Sequence, residues 1–206
     1  MVSRKKGALF VVSAPSGGGK STLLRKVISQ LPGVSISISY TTRPPRSEER
    51  DGVDYFFVSH REFIDMVSDG KFIEWAEVHG YLYGTPRANL EKLMQGEDLI
   101  LEIDTQGARK IRQEFRNGVL IFILSPSLEV LGERLRARGG DTEEAIQARL
   151  QYARKELDQV AWYDYIVINR EIEEATKELT SIIIAERCKA ARVLEGIGGK
   201  YGKNNG

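Results

Sequence analysis

Near the start of the chain, the stretch SAPSGGGKST (residues 13–22) combines small residues with a lysine and two hydroxyls that follow them directly. Backbone N–H groups in such a loop are unscreened by side chains, and at the start of a helix they form an anion site. A lysine at the end of the loop adds a positive charge for nucleotide phosphates, and the next hydroxyl can ligate Mg²⁺. Ala14, Gly19, Lys20 and Ser21 occupy the key positions of G-x-x-x-x-G-K-[ST], with alanine replacing the first glycine. The stretch predicts a loop that binds a nucleotide's phosphates.

The plainer alternative is a glycine-rich loop that only connects two elements. The flanking residues favour phosphate binding, because Ala8 to Val12 is typical of a short buried strand. Residues 21–31 have the spacing of an amphipathic helix that ends before Pro32. The loop identifies a phosphate donor but not an acceptor, since kinases and NTPases share it.

A second segment with anion-binding side chains is SYTTRPPRSEERDGVDYFFVS, in which Arg43 and Arg46 flank two prolines. Arginine forks match phosphate oxygens bidentately, and Tyr55 and Tyr83 can add hydroxyl donors to the same anion. The segment therefore indicates a site for the acceptor's phosphate. The alternative is a solvated basic turn whose arginines pair with the glutamates at positions 48 and 49.

Two acidic residues can read a base. Glu74 lies inside KFIEWAEVHG, and Asp104 ends the apolar run in LILEIDTQG, where α/β folds bind ligands. Carboxylates only accept hydrogen bonds. Guanine offers N1–H and an exocyclic amino group along one edge, whereas adenine has an acceptor at N1, so this pair predicts selection of guanine. The alternatives are a position near Mg²⁺ for Asp104 and an ordinary, partly exposed acid for Glu74.

The remaining pattern predicts an α/β fold with a central parallel sheet flanked by helices. Continuous apolar runs at residues 98–104, 119–125 and 164–169 are typical of parallel strands covered on both faces. Helical patterns lie between and after these runs, at residues 89–95, 106–115, 127–138, 143–160 and 171–195. Alternation of strands and helices is the mark of a parallel sheet.

Two segments depart from this alternation. Residues 34–88 have strand composition with many Arg, Glu, Tyr and Gly residues, which predicts a small insertion with its own strands. Residues 134–150 predict two helices joined by a Gly-Gly turn. Asp141 or Thr142 can cap the second helix, with Glu144 closing a capping box on Asp141.

Composition sets the broad class. The 206 residues include 30 basic and 29 acidic side chains, a net charge of +1, so charge alone predicts neither nucleic acid nor anionic membrane as a partner. A single cysteine, Cys188, fits a reducing compartment. The apolar part of the N-terminus is too short for a signal peptide, and no run approaches a membrane span, so we expect a cytoplasmic protein. Residues 197–206 have little to bury and are expected to be disordered.

Taken together, the motifs APSGGGKST, TTRPPR, DGVDYFFV, FIEWAEVHGYLYGT, LEIDTQGA and RLRARGGDTEEAIQARL resemble the bacterial type of guanylate kinase, from about Leu9 to Glu186. The resemblance implies a phosphate-loop kinase with a mixed α/β GMP-binding insertion and a helical lid. It implies transfer of the γ-phosphate of ATP to GMP, and to dGMP, with Mg²⁺ as cofactor. Tyr40 and Glu102 depart from the family pattern, in which a smaller residue or His and an Asp are frequent.

The resemblance also implies residue roles. The residues implied to bind the ATP phosphates are those of the loop: Ala14, Pro15, Ser16, Gly17, Gly18, Gly19, Lys20, Ser21 and Thr22. Ser21 is also implied to ligate Mg²⁺. The residues implied to bind GMP are Ser39, Arg43, Arg46, Tyr55, Glu74, Tyr83, Thr85 and Asp104. The lid arginines on the ATP phosphates are Arg134, Arg138 and Arg149, and Asn169 approaches the adenine. The catalytic residues are Lys20, Arg43, Arg138 and Arg149.

The implied reaction needs no strong general base, since the acceptor is already a phosphate dianion, and we assign no role to His60 or His79. The expected division is a core of residues 1–33, 89–126 and 160–196, an insertion of residues 34–88 and a lid of residues 127–159. From the residues alone, Arg134 and Arg138 also fit a solvated helix face with surface ion pairs.

Two other function classes share part of this pattern. Guanylate-kinase-like domains also serve as peptide-binding modules that have lost catalysis, but those degrade the phosphate loop, and Lys20 and Ser21 are retained here. A related phosphate-loop kinase acting on another nucleotide or on a sugar phosphate is disfavoured by Glu74, Asp104 and the tyrosines. The sequence leaves the oligomeric state open.

Overall fold

The computed structural model describes residues 6–78 and 80–197, and within them the chain forms nine strands and eight α-helices. The strands are β1 (Leu9–Ser13), β2 (Val34–Ser37), β3 (Tyr40–Thr41), β4 (Phe56–Phe57), β5 (Phe72–Val78), β6 (Tyr81–Pro86), β7 (Asp98–Glu102), β8 (Val119–Leu124) and β9 (Tyr165–Ile168). The helices are α1 (Lys20–Gln30), α2 (His60–Ser68), α3 (Glu91–Met94), α4 (Thr105–Glu114), α5 (Leu128–Arg138), α6 (Glu143–Leu157), α7 (Ile172–Arg187) and α8 (Ala190–Ile197). His79 and most of the tail predicted to be disordered lie outside the described residues.

The main sheet has five parallel strands in the order β2-β7-β1-β8-β9. The apolar runs form its centre because strands covered on both faces can expose no polar side chain to water. All of β1 is buried, and Val11 pairs with Leu101 on one side and Leu120 on the other. The predicted parallel sheet flanked by helices is confirmed. Its geometry brings the segments that follow β1 and β7 to the same edge.

Helices bury the sheet on both faces. On one face, Leu24 and Val27 of α1 and Leu179 of α7 pack against Phe10 and Ile121. On the other face, Ala108 and Ile111 of α4 pack in a second cluster of buried residues with Leu101 and Phe122. These two apolar layers hold the loops at the carboxyl edge of the sheet in fixed positions. In the described part of the chain, no helix is both long enough and apolar enough to cross a bilayer.

A smaller sheet with the strand order β4-β3-β6-β5 lies beside the main one. Helix α2 covers it, with Phe63 packed on Phe72 and Leu82. The prediction that the insertion begins at residue 34 is wrong, because β2 (Val34–Ser37) pairs with β7 in the main sheet. Strand composition alone does not say which sheet a strand joins.

The lid helices α5 and α6 are joined by Gly139 and Gly140, both with positive φ, as the predicted Gly-Gly turn requires. Leu131, Leu135 and Ile146 are buried in the small apolar cluster that the two helices share. Other helix predictions are corrected as follows. Thr142, not Asp141, caps α6, so the predicted capping box on Asp141 is wrong. The segment predicted as a helix over residues 89–95 is a 3₁₀ turn (Arg87–Leu90) followed by the short α3. The helix predicted over residues 171–195 is broken after Arg187.

The last residue of α7 makes tertiary contacts where the helix ends. The side chain of Arg187 donates from Nε to the buried carboxylate of Asp98 at 2.6 Å and from Nη2 to the carbonyls of Pro32 and Gly33. These bonds tie the end of α7 to the start of β7. No glycine or proline marks this break in the sequence, so the helical pattern continued through it.

Candidate active site

The phosphate loop runs from β1 into α1, as predicted. Gly17 and Gly19 have positive φ, and the spaces that a Cβ would fill are taken by other side chains. A Cβ on Gly17 would lie 2.9 Å from Leu135 of the lid, and one on Gly19 would lie 2.4 Å from Asn169 Nδ2. The loop therefore needs glycine both for its turn and for the close approach of its neighbours.

The N-terminus of α1 is left open to an anion. Its N-cap is Gly19, which has no side chain to accept from the first turn, and that turn carries no acidic residue. The unsatisfied N–H groups and the helix dipole therefore remain available to a phosphate. Lys20 lies here, with Nζ 3.4 Å from the carbonyl oxygen of Ile103 and 4.0 Å from Glu102 Oε1.

Ser21 and Glu102 form a pair of oxygen groups beside this anion site. The Ser21 hydroxyl donates to Glu102 Oε1 at 2.7 Å. Hydroxyl and carboxylate oxygens are suitable ligands for Mg²⁺, which usually takes the rest of its shell from phosphates and water. The departure from the family's frequent Asp at residue 102 thus leaves a carboxylate within reach of Ser21.

Asn169 and Arg134 brace the loop from behind. Asn169, which is buried, donates from Nδ2 to the carbonyl oxygen of Gly18 at 2.9 Å. Arg134 of α5 donates from Nη2 to the carbonyl oxygen of Asn169 at 2.9 Å, while its Nη1 is buried without a hydrogen-bond partner among the described residues. The approach of Asn169 to adenine stays a prediction, and the structure adds a contact that holds the loop itself.

The two acids that were predicted to read guanine lie together. Glu74 is buried in β5 and accepts the Thr85 hydroxyl on Oε1 at 2.5 Å, across the β5–β6 pair. Asp104 is the N-cap of α4 and accepts from Gly107 N at 2.9 Å. A Cβ on Gly107 would lie 2.6 Å from Glu74 Oε2 and 3.3 Å from Asp104 Oδ1. The absence of a side chain at residue 107 is what lets both carboxylates approach this helix terminus.

Burial raises the pKa of Glu74 to about 7, a shift that the bond from Thr85 opposes and the charge of Asp104 increases. A carboxylate in this state is poorly compensated in the free protein. Groups that donate hydrogen bonds to it would therefore bind with a gain in electrostatic free energy. The alternative of a partly exposed acid is ruled out for Glu74.

The predicted acceptor-phosphate residues also converge. Arg43 is largely buried, lies over the ring of Tyr55 at 5.5 Å and hydrogen-bonds the hydroxyl of Tyr83. Its terminal nitrogens contact both carboxylate oxygens of Glu49 at 2.9 Å. Burial lowers the pKa of Arg43, but the bonds to Glu49 and Tyr83 outweigh it and leave the pKa raised. Arg43 is therefore a fixed cation inside the insertion.

Arg46 connects this group to the lid. Burial and the charges of Arg138, Arg43 and Arg149 lower the pKa of Arg46, with Glu49 opposing them. Arg46 of the insertion is thus destabilised by one neighbouring arginine of the insertion and by two arginines of the lid. Without an anion, such a group is electrostatically unfavourable.

Arg149 of α6 reaches the phosphate loop directly. Its Nη1 donates to Ser16 Oγ at 2.8 Å, and its Nη2 pairs with Asp141 at 3.1 Å. The lid therefore contacts the loop directly. The alternative of a solvated helix face is wrong for Arg134, which is partly buried and bonds to the carbonyl oxygen of Asn169. Arg138 is exposed at the end of α5, so that alternative stays open for it.

A narrow cleft joins the two halves of the site. Ser39 and Tyr55 of the insertion line it together with Glu102, which accepts from Ser21 of the phosphate loop. Burial, and then the charge of Glu102, raise the pKa of Tyr55, so its hydroxyl is held as a donor. The acceptor residues and the donor loop face the same space.

Sequence and structure relate this chain to known proteins. The guanylate kinase family model matches residues 6–186. The chain belongs to the guanylate kinase family. It is 48% identical over 193 residues to the guanylate kinase of Geobacter metallireducens, covering 93% of this chain and 95% of the relative. It is 50% identical over 187 residues to that of Nitrosomonas europaea, covering 90% and 93%. A crystal structure of guanylate kinase from Anaplasma phagocytophilum matches with a TM-score of 0.79 at 36% identity, covering 93% and 95%.

The recognition of the family from its motifs is confirmed, as are the phosphate-loop kinase fold and the enzyme class, a nucleoside monophosphate kinase. Of the residues assigned by resemblance to guanylate kinases, the loop residues 14–22 lie together, and Thr22 among them is exposed on α1. The roles of the individual side chains stay predictions.

Two residues escaped the sequence argument. Glu49 was considered only as a surface partner of the arginines, with position 48 as its equal, yet only Glu49 makes those contacts in the structure. Glu156 is a buried acid on α6 whose pKa is raised to about 8 by burial, with Lys20 opposing and Asp104 adding to the shift. Glu156 follows Arg149 by seven residues and Tyr152 by four, so on a helix it lies on the same face as both, and this spacing is the sequence signal that could have identified it.

Proposed function

We propose that this protein transfers the γ-phosphate of ATP to GMP, and to dGMP, giving ADP and the nucleoside diphosphate. Membership of the guanylate kinase family supports the reaction. The observation that supports it most directly is that Arg149 of the lid bonds to Ser16 of the phosphate loop at 2.8 Å, while the charges of Arg149 and Arg138 act on Arg46 of the insertion. A phosphoryl group passing between two anionic substrates needs positive charge from both sides, and these arginines come from both sides.

The acceptor would be held at its two ends. Arg43, Arg46 and the hydroxyls of Tyr55 and Tyr83 would bind its phosphate. At the other end, the carboxylates of Glu74 and Asp104 would accept from guanine N1–H and the exocyclic amino group. Because Thr85 occupies Glu74 Oε1, Oε2 is the oxygen left for the base. Adenine would leave the buried carboxylate oxygen Oε2 of Glu74 without a donor, which disfavours it.

The donor would lie on the phosphate loop, with Lys20 beside its β- and γ-phosphates. Catalysis then consists of aligning the two substrates and neutralising the transferring group, since an acceptor phosphate oxygen is already a nucleophile. Ser21 and Glu102 would hold Mg²⁺, which when bound supplies charge neutralisation at the ATP phosphates. We propose a cytoplasmic site for the reaction because ATP and GMP are cytoplasmic metabolites.

The lid, residues 127–159, would close on the ATP phosphates and exclude water. The positive φ values of Gly139 and Gly140 suit a turn between two helices that move together. We propose a core of residues 1–37, 89–126 and 160–196, with an insertion that starts after β2. Hydrogen exchange in residues 134–150 should slow when both nucleotides are bound, and unchanged exchange would argue against closure.

The deciding experiment measures ADP release from ATP and Mg²⁺ with GMP, dGMP, AMP, UMP, CMP or no acceptor, for the native chain and for Lys20→Ala. We expect release with GMP and dGMP only, and its loss in the variant. Release with AMP or UMP would refute the roles of Glu74 and Asp104 while keeping a kinase. Folded protein that binds GMP but releases no ADP would instead be a binding module.

A further inference from the structure

Glu49 holds the two insertion arginines from a single carboxylate. Its Oε1 accepts from Arg43 Nη2 and its Oε2 lies near Arg43 Nη1, both at 2.9 Å. Oε2 also accepts from the backbone N–H of Arg46 at 2.9 Å, and Oε1 lies 3.7 Å from Arg46 Nη1. One side chain therefore determines where both arginines sit.

The backbone closes the same turn. The N–H of Glu49 donates to the carbonyl oxygen of Arg46 at 3.0 Å, so residues 46 and 49 are bonded in both directions. Pro44 and Pro45, which precede this turn, have no N–H to contribute, although Pro44 accepts from Arg43 Nη1 at 2.8 Å. The carboxylate of Glu49 is thus the principal polar anchor of the segment that carries the arginines.

Electrostatics require such an anchor. Arg46 is destabilised by Arg138, Arg43 and Arg149, and Glu49 is the acid that opposes them. Burial raises the pKa of Glu49, but the bonds from Arg43 and the Arg46 N–H outweigh it, so its pKa lies below the ordinary value and the carboxylate stays charged. Without Glu49, repulsion would drive flexible guanidiniums apart and towards solvent.

We propose that Glu49 is a positioning residue that preorganises Arg43 and Arg46 for the phosphate of GMP and remains bonded to them when GMP is bound. The inference rests on the proposed function, because it assumes that these arginines hold the acceptor's phosphate. Preorganisation lowers the ordering cost of binding, so its loss weakens affinity for the phosphate but not for the base.

A competing role for Glu49 predicts a change of the opposite sign in GMP affinity. If the carboxylate of Glu49 merely filled the anion site until GMP displaced it, removing its charge would free the arginines and tighten GMP binding. The two ideas therefore predict changes of opposite sign in the same dissociation constant.

The test compares Glu49→Gln with Glu48→Gln, a matched loss of one negative charge at the adjacent exposed position. Dissociation constants for GMP and for guanosine, and KM and kcat for both substrates, are measured on each full-length variant. For Glu49→Gln we expect GMP binding to weaken at least tenfold, guanosine binding and KM for ATP to change less than twofold, and Glu49→Asp to recover part of the loss. Glu48→Gln should change each value less than threefold.

Tighter or unchanged GMP binding by Glu49→Gln would overturn the proposal. Equal weakening of guanosine and GMP would also overturn it, since that pattern reports a damaged insertion rather than misplaced arginines. Arg43→Ala separates this inference from the proposed function. If Arg43→Ala leaves GMP affinity intact, the assigned phosphate site is wrong; if it weakens GMP while Glu49→Gln does not, only the role of Glu49 fails.

Discussion

Glu74 lies in a strand of the smaller sheet and Asp104 caps the helix that follows β7 of the main sheet, yet their carboxylates approach the same backbone position, Gly107. A Cβ there would lie 2.6 Å from Glu74 Oε2, closer than side-chain contacts allow. The pair that is proposed to read guanine therefore depends on a residue that contributes no atom to the base.

Substitution of Gly107 by Ala should raise KM for GMP at least tenfold, because the added methyl group displaces the Glu74 carboxylate. Its position within α4 should keep the fold intact, since Ala is the better helix former by roughly 1 kcal/mol. Steady-state kinetics with varied GMP and varied ATP, together with a thermal melt, test this. An unchanged KM for GMP, or an equal rise in KM for ATP, would contradict it.

The base site should be sensitive to pH. Because burial raises the pKa of Glu74 to about 7, the group gains a proton as the pH falls through that value and loses its ability to accept. Guanosine affinity should fall by about tenfold per pH unit below pH 7 and level off above it. Titration with guanosine between pH 5.5 and 8 removes the nucleotide phosphate from the comparison. Glu74→Gln, as the control, should show weak and pH-independent binding.

The brace behind the phosphate loop should matter for ATP rather than for GMP. Asn169→Ala removes the bond from Nδ2 to Gly18 O, and we expect KM for ATP to rise by roughly fivefold, equivalent to about 1 kcal/mol. Asn169→Asp should be worse, since a carboxylate would face the Gly18 carbonyl. KM values for both nucleotides decide this, and a similar effect of both variants on GMP would contradict it.

The lid arginine that reaches the loop should act on turnover. Arg149 donates to Ser16 Oγ and lies near Arg46, and its replacement by Ala should lower kcat by about 10²–10³-fold, the usual cost of losing one charge-stabilising donor. Arg136→Ala is the matched control, because Arg136 pairs with Glu143 on the lid's exposed face. The control should stay within twofold; equal losses in both variants would indicate general damage to the lid.

Glu156 should make stability depend on pH. Its pKa is raised to about 8, above the unfolded value near 4.5, so the folded protein holds the proton more tightly. That contribution to stability is complete below about pH 4.5 and is lost as the pH rises towards 8. At pH 8, the free energy of unfolding of Glu156→Gln, measured by urea denaturation, should therefore exceed that of the native chain by on the order of 1–3 kcal/mol. At pH 5 the two values should lie closer together. No difference between the two pH values would show that Glu156 is not held protonated.

The phosphate loop could be predicted from the sequence because its signals are local. A phosphate loop needs glycines, a lysine and a hydroxyl in one continuous stretch between a strand and a helix, and Gly17, Gly19, Lys20 and Ser21 supply them. The parallel strands were similarly plain, since double-sided burial leaves an unbroken apolar run.

What the sequence missed depends on tertiary contacts. Strand β2 joins the main sheet through pairing with β7, which lies more than sixty residues away, and its composition resembles that of the smaller sheet. Glu49 and the preceding residue are both glutamates, so the sequence does not distinguish them. In the structure, Glu49 alone of the two accepts from the backbone N–H of Arg46. Helix α2 did carry a signal that was passed over, the capping box of Ser59 and Glu62.

The charges of Arg43, Arg138 and Arg149 all act unfavourably on Arg46, and this sets a condition on the proposed closure of the lid. Bringing these charges together costs free energy that bound phosphates can offset, so lid closure and anion occupancy are thermodynamically linked. A single nucleotide supplies only part of the needed negative charge. If the lid closes as proposed, we therefore expect closure to be most favourable when both substrates are bound, and hydrolysis of ATP without an acceptor to be slow.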